Sequence, residues 1–182
     1  MKIIIAFTVC ALLGFLATVA IYLGAFKEVH IEKTYVPNLH LIYKLHTGAY
    51  HKIGKSIEEV EKWAKEKGLN CDISFGEYFM DPKSVDESLL RSHAGCVTKD
   101  TYEGELPNEW NQRDLEESPA LLAHFDGSPA IGPYKVYPKV NEYLKQQGLG
   151  EYQSVFEIYS LVNDHFSTQY YFLLKGYHYE KN

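Results

Sequence analysis

The sequence predicts an α+β domain made of two βαββ-like units, preceded by one membrane-spanning helix. Three observations support this prediction. The first 26 residues contain a long apolar run, the order strand–helix–strand–strand occurs twice after it, and the two predicted helices end in matching Gly-Leu pairs. We expect the units to form one antiparallel sheet with both helices on one face.

The N-terminal apolar run spans residues 3–26 and contains no charged side chain. As a helix it would be roughly 36 Å long, enough to cross the hydrocarbon core of a bilayer. A cleaved signal peptide is the alternative, but its apolar core is usually only about 7–15 residues long. We therefore predict an uncleaved single-pass anchor at 1–27, in contact with lipid through 3–26, and one domain at 28–182. The flanking positive charges are nearly balanced, so they do not fix the orientation.

The first unit begins at 39–50, where alternating β-branched and aromatic residues predict a strand. Apolar residues then recur at helical spacing over 52–69. The segments 73–82 and 93–99 predict two paired strands.

The second unit shows the same order. Residues 118–128 predict a strand, 136–149 a helix, and 153–162 and 168–179 two paired strands. The polar stretch 100–118 is predicted to be the loop that joins the units.

Several residues of the two units match at a separation near 80. One such match would mean nothing, but a set in a single register indicates an internal duplication. The matched pairs are Trp63 with Tyr143, Gly68 with Gly148, Leu69 with Leu149, Glu77 with Glu157, and Phe79 with Tyr159.

Strand alternation selects the candidate site residues of the second unit. Side chains of a strand point alternately to its two faces, so Glu157 and Tyr159 share one face and Phe156 and Ile158 share the other. We expect the apolar pair to meet the helices. Glu157 and Tyr159 would then lie on the open face of the sheet.

In the first unit, Phe75, Glu77 and Phe79 alternate in the same way. Two carboxylates related by a pseudo-twofold axis could approach one cleft, where aromatic rings and negative charge would attract a cationic ligand. The alternative is that both are exposed strand residues without a role, and the apolar neighbours of Glu157 favour a function there. The predicted ligand-binding residues are Glu157, Tyr159, Glu77, Phe79 and Phe75.

Composition argues against several function classes. The net charge is −6 and the chain has only two Arg, Arg91 and Arg113, which argues against nucleic-acid binding. No GxSxG, phosphate-loop or HExxH motif is present, so we assign no catalytic residue, metal ligand or cofactor. A hydrolase that uses only Glu and Tyr is a minor alternative without a sequence signature. Cys71 and Cys96 lack CxxC partners, so they are two thiols in a reducing compartment or a disulfide in an oxidising one.

The duplicated unit, the segments YKLHTGAY and IGKSIEEVEKWAKEKGL, and the FEIY strand around Glu157 resemble the GyrI-like small-molecule-binding domain. The same domain is the effector-binding half of some bacterial transcription regulators. The resemblance covers about residues 29–175. It implies a pocket in which a Glu meets a cationic aromatic ligand. That role falls on Glu157 through the FEIY strand, and on Glu77 only as its repeat mate.

A membrane segment followed directly by such a domain is also similar to the animal testis-expressed ER-phagy receptor family. That likeness implies an endoplasmic reticulum membrane with the domain in the cytosol, or the inner membrane if the source is bacterial. Receptors of this kind bind their autophagy partner through an aromatic-acidic motif in a long C-terminal tail. No such tail follows the last predicted strand, which weighs against that role.

Two functions of different classes follow. The first is a membrane-anchored domain that binds a small cationic aromatic molecule in a cleft between its repeats. The second is an adaptor of the endoplasmic reticulum membrane that acts in ER-phagy through protein contacts. Under either function we do not expect the protein to be an enzyme. An open, aromatic-lined cleft containing Glu157 would favour the first function, and a filled one would favour the second.

Overall fold

In the computed structural model, eight antiparallel strands form one sheet with two helices on one face, and a third helix precedes them. The structure describes residues 2–162 and 165–176. The helices are α1 (Lys2–Leu23), α2 (Ile53–Glu66) and α3 (Gly132–Gln147). The strands are β1 (His30–Val36), β2 (Leu39–Thr47), β3 (Ile73–Tyr78), β4 (Arg91–Thr98), β5 (Trp110–Leu115), β6 (Ser118–Phe125), β7 (Tyr152–Val162) and β8 (His165–Leu174).

The predicted duplication is present in the order β2–α2–β3–β4 and β6–α3–β7–β8. The strand order β1-β6-β8-β7-β3-β4-β2-β5 places the two units side by side, and β3 pairs with β7 at the centre. The predicted pairing of 154–161 with 168–175 is confirmed in β7 and β8. The hairpin turn predicted between them falls partly on residues 163 and 164, which lie outside the described residues.

Each unit has one strand more than the sequence predicts. The stretch 100–118 is not only a loop, since β5 forms within it and pairs with β2. The short connection at 28–38, whose sequence indicates some strand character, forms β1, which pairs with β6. Each added strand therefore precedes one unit in sequence and pairs with the other. Both lie at sheet edges and carry charged residues, as edge strands commonly do, so their composition resembles that of a loop.

The connections after β1 and β5 require the sheet to curl. β1 and β2 are six strand spacings apart in the sheet order, roughly 29 Å in a flat sheet. Only Pro37 and Asn38 join them, which lets the flanking Cα atoms separate by about 11 Å at most. The Asn38 side chain accepts a 2.7 Å hydrogen bond from the backbone amide of Glu117, which lies in the equally short β5–β6 connection. The two edges of the sheet therefore meet at this end.

Apolar side chains of both units fill the inside of the curl. Phe75 and Phe156 lie at its centre with ring centroids 5.7 Å apart. Their buried neighbours are Val36, Leu41, Leu115, Ala120, Ile158, Tyr171 and Leu173. The helices pack on the outer face, α2 through Val60 and Ala64 and α3 through Val136, Val140 and Leu144. The face that the sequence analysis expects to be open is therefore a core.

Cys71 and Cys96 form a disulfide that ties the segment after α2 to β4. The sequence left this pairing open. Because β3 lies beside β4 in the ladder, the residues just before β3 are brought next to Cys96. The bond closes a loop over a sequence separation of 25 residues.

Replacing Cys71 with Ser is expected to lower the free energy of unfolding by about 3 kcal/mol, because the unfolded chain regains the entropy of the closed loop. Urea unfolding of the parent and the variant measures this loss. A reducing agent should have the same effect on the parent and none on the variant. A parent that is indifferent to the reducing agent would show that the two thiols are unpaired in the purified protein.

Candidate functional site

A broad cleft separates α2 from α3 on the outer face of the sheet. α2 packs over β2 and β4, and α3 packs over β6 and β8. The central pair β3–β7 lies between the two helices, with α2 at the edge of β3 and α3 at the edge of β7, and forms the floor. The cleft encloses about 2660 Å³, more than the roughly 300–1000 Å³ of a typical ligand pocket. It is therefore an open groove, of which a small ligand would fill one part.

The residues that line the deepest polar part of the cleft come from four elements. Tyr78 of β3 and Glu157 and Tyr159 of β7 lie on the floor. Ile53 and Ile57 of α2 form one wall, and Pro133, Tyr134 and Tyr137 of α3 form the other. Gly76 precedes Tyr78 on the same strand face, and its lack of a side chain lets the Tyr78 ring lie over it.

Glu157 is the central polar group of this floor and is only 4% exposed. The Tyr137 hydroxyl donates a 2.9 Å hydrogen bond to Oε1, and the Tyr159 hydroxyl donates a 3.1 Å bond to Oε2. Burial raises the pKa of Glu157 from 4.5 to about 7, against the lowering effect of these two hydrogen bonds. Within residues 2–162 and 165–176, no Lys, Arg or His forms an ion pair with Glu157.

Three tyrosine hydroxyls extend the network around this carboxylate. The hydroxyl oxygens of Tyr78 and Tyr159 lie 2.7 Å apart. Burial, and next the nearby Glu157, raise the pKa values of Tyr78, Tyr137 and Tyr159 well above 10. The three side chains therefore stay protonated at neutral pH. Tyr137 and Tyr159 donate hydrogen bonds to Glu157 without giving it a positive charge, and Tyr78 contacts Tyr159 behind them.

Glu77 is equally buried but has basic partners, one of which is the Arg113 guanidinium. Arg113 Nη2 lies 2.6 Å from Oε2, and His93 Nδ1 lies 2.9 Å from the same oxygen. The Ser154 hydroxyl donates a 3.2 Å hydrogen bond to Oε1. The Arg113 guanidinium also lies 5.7 Å from the centre of the Phe156 ring. Glu77 is thus held within an ion-pair cluster on the inner face of the sheet.

The prediction that both carboxylates approach one cleft is wrong. In the β3–β7 ladder, Glu157 is opposite Gly76 and Glu77 is opposite Phe156, so the two carboxylates point to opposite faces. The separation of 80 holds for the helix ends, where Gly68 and Gly148 both have positive φ. It does not hold for the strands. A shift of one residue along a strand moves a side chain to the other face, so Glu77 and Glu157 lie on opposite faces although they are 80 residues apart.

The five residues predicted for the site divide into two groups. Glu157 and Tyr159 line the cleft, and Phe79 lies at its edge with its ring against His93 at 4.8 Å, whereas Phe75 is fully buried in the inner core and Glu77 belongs to the inner ion-pair cluster. The expectation that Phe156 and Ile158 meet the helices is also wrong, since they face that inner core. The helix-facing stripe of β7 is the one that contains Glu157.

Tyr78 and Tyr137 belong to the cleft but are not among the residues predicted from the sequence. Tyr78 shares the outer face of β3 with Ser74 and Gly76, a pattern that gives no apolar signal. Tyr137 lies beside the buried stripe of α3, one residue after Val136. An aromatic residue at the edge of the apolar stripe of a helix is the sequence pattern that could have identified Tyr137. Among the residues described, no group of three His, Cys, Asp or Glu side chains is arranged to hold a metal ion.

Raising the pH from 4 to 8 is expected to remove about 3 kcal/mol of stability through Glu157. Its pKa is about 7 in the folded protein and 4.5 in the reference state. The stabilising contribution is complete below the lower value and is lost as pH rises through the higher one. Urea unfolding across this range measures the loss. Glu157→Gln is the control, and equal pH profiles of parent and variant would contradict the assignment.

Residues 30–174 match the model of the GyrI-like small molecule binding domain. This chain belongs to the GyrI-like family. The match covers both units of the GyrI-like domain and the added strands β1 and β5. No curated protein sequence matches the chain.

Solved structures share the fold of this GyrI-like domain. The C-terminal domain of EcmrR is similar with a TM-score of 0.65 at 13% identity, over 81% of this chain and 98% of that one. SAV2435 bound to tetraphenylphosphonium is similar with a TM-score of 0.52 at 15% identity, over 81% and 94%. A hydrolase from Listeria innocua gives a TM-score of 0.50 at 10% identity, over 80% and 92%. At these identities the likeness concerns the fold.

Proposed function

We propose that this GyrI-like domain is anchored to a membrane by α1 and binds a small cationic aromatic molecule in the cleft between α2 and α3. The observation that carries the proposal is the environment of Glu157. A carboxylate this buried is costly to ionise without a positive partner. The described residues supply two hydroxyl donors and no cation. A cationic ligand would supply the missing charge.

The aromatic lining supports the same ligand class. Tyr78, Tyr137 and Tyr159 surround the carboxylate, and Tyr50 packs edge-on against Tyr78 at a centroid distance of 4.8 Å. Aromatic faces attract cations through their quadrupoles, most strongly where water is excluded. Flat or bulky apolar groups on the ligand would pack on the same rings.

Glu77 provides an internal comparison within the same chain. Glu77 is buried in the same sheet to the same extent, but Arg113 and His93 contact it directly. Glu157 has no such arrangement in the part of the chain that the structure describes. The SAV2435 structure, which holds a tetraphenylphosphonium cation, adds support from a protein of the same fold.

We propose binding rather than catalysis. The Tyr137 and Tyr159 hydroxyls each donate one hydrogen bond to a different oxygen of Glu157, which fixes the carboxylate and leaves it further acceptor sites. This arrangement supports a charge-recognition role for the carboxylate.

A matched pair of probes tests the proposed function. Tetraphenylphosphonium and tetraphenylborate have nearly the same shape and opposite charge. We expect the full chain in nonionic detergent to bind the phosphonium and not the borate, with Glu157→Gln as the baseline for partition into micelles. Equal affinity for both probes would remove charge recognition. No binding of either would leave the adaptor of the endoplasmic reticulum membrane, acting in ER-phagy through protein contacts, as the better proposal.

The anchor part of the proposal rests on α1, which has no charged residue after Lys2 and no buried residue. Its length and apolar composition fit a bilayer span. For a eukaryotic source we propose the endoplasmic reticulum membrane with a cytosolic domain, and for a bacterial source the inner membrane. The Cys71–Cys96 disulfide instead fits the oxidising side of either membrane, since a disulfide persists there and not in the cytosol. Thiol alkylation of intact membranes under non-reducing conditions distinguishes the two.

A further inference from the structure

We propose that the cleft takes its ligand from the membrane interface, so that its natural ligands are amphiphilic cations dissolved in the bilayer. This inference rests on the proposed function and names the ligand class and its route. It depends on how the end of α1 is attached to the domain and on which part of the cleft lies beside that attachment.

Backbone hydrogen bonds cap the C-terminal end of α1. The amide of Ala25 donates to the carbonyl of Ala20 at 2.9 Å, and Gly24 has a φ of +81°. This is the geometry of a helix ended by a left-handed glycine. The chain then turns within a few residues toward β1, which begins at His30. Even fully extended, so short a connection keeps the domain within about 25 Å of the helix end.

The domain also binds the end of α1 directly. The amide of Ser128 donates a 3.0 Å hydrogen bond to the carbonyl of Leu23. The Lys135 ammonium group donates to the carbonyl oxygen of Ala25 at 2.7 Å and also contacts that of Lys27. Ala25 and Lys27 directly follow α1, so the Lys135 charge lies next to the last carbonyls of the helix, which favour a positive charge nearby. Hydrogen bonds from the domain thus hold the end of α1 in place, in addition to the covalent connection.

The docking residues adjoin one end of the cleft. Pro129 and Ala130 line the cleft directly after Ser128, and Pro133 and Tyr134 line it directly before Lys135. The α3 wall of the cleft therefore begins within about one helical turn of the end of the membrane segment. A ligand at headgroup depth would meet this end of the cleft first.

Exposed aromatic side chains mark the same region. Tyr22 and Phe26 at the end of α1 are 80% and 79% exposed, and Tyr134 on the cleft rim is 82% exposed. Aromatic residues of this kind concentrate at the membrane–water interface. An amphiphilic cation holds its charge at the headgroups and its apolar part among the chains. The aromatic rim would accept the apolar part, and Glu157 the charge.

Two cationic dyes in phosphatidylcholine vesicles test this route with the full chain. Octadecyl rhodamine stays in the bilayer, whereas rhodamine 6G exchanges through water. We expect the parent to bind both, measured as dye anisotropy above the Glu157→Gln baseline. A flexible Gly-Ser spacer of 12 residues between Phe26 and Lys27 should weaken octadecyl rhodamine binding at least tenfold and leave rhodamine 6G binding unchanged. Lys135→Gln should act in the same direction, because it loosens the docking without touching the cleft.

The outcomes separate the two proposals. If the parent binds rhodamine 6G and not octadecyl rhodamine, loading from the bilayer is wrong and the proposed function stands. Equal binding of octadecyl rhodamine by the parent and the spacer variant would also overturn the route. If neither dye binds the parent, the proposed function itself fails.

Discussion

Glu157→Gln is expected to weaken the binding of a cationic aromatic dye by about ten- to a hundredfold, which corresponds to roughly 1.4–2.8 kcal/mol. Glutamine keeps the size of the side chain and still accepts a hydrogen bond from Tyr137 or Tyr159. It removes only the negative charge. The fold should be unharmed, and at pH 8 it should be more stable, because ionisation of a buried group is no longer required.

A dye titration beside thermal melts measures both effects. The matched control is Glu77→Gln, the same chemical change on the opposite face of the sheet. It should leave dye affinity unchanged and lower stability, since the Arg113 guanidinium loses its partner. If Glu77→Gln weakens the dye as much as Glu157→Gln does, the cleft is not the binding site. Equal affinity in all three proteins would remove the charge contact from the proposal.

Arg113→Met is expected to lower the free energy of unfolding by about 2–3 kcal/mol. It leaves the buried Glu77 without the cation that lies 2.6 Å from its oxygen. Breaking one side of a buried ion pair typically costs about 3–5 kcal/mol. We expect less here, because the Arg113 side chain is 37% exposed and His93 also contacts the same oxygen. Urea unfolding at pH 7.5 measures the change.

The double variant Arg113→Met with Glu77→Gln separates the buried charge from lost packing. It should recover more than half of the loss, because the unpaired carboxylate is gone. A double variant as unstable as Arg113→Met alone would mean that packing of Arg113 on Tyr43 and Phe156 is the main contribution. Dye binding should not change in either variant, since these residues lie on the inner face.

The sequence by itself determined the local elements and their order. Helical spacing located α2 and α3, alternation located six of the eight strands, and the apolar run located α1. These signals are local, because the spacing of apolar residues with a period of 3.6 or 2 involves only residues close together in the sequence. Alternation also correctly grouped Glu157 with Tyr159. The resemblance in the FEIY strand indicated the GyrI-like family, and the match of residues 30–174 to the family model confirms it.

Only the tertiary structure decided which face of the sheet is open. Alternation states which residues share a face, but it does not state what covers that face. The cover depends on β1 and β5, whose pairing with the opposite unit curls the sheet and closes its inner face around Phe75 and Phe156. These contacts join residues far apart in sequence. They place Glu157 beneath the gap between the helices, give Glu77 the Arg113 guanidinium, and so divide two carboxylates that look alike in sequence.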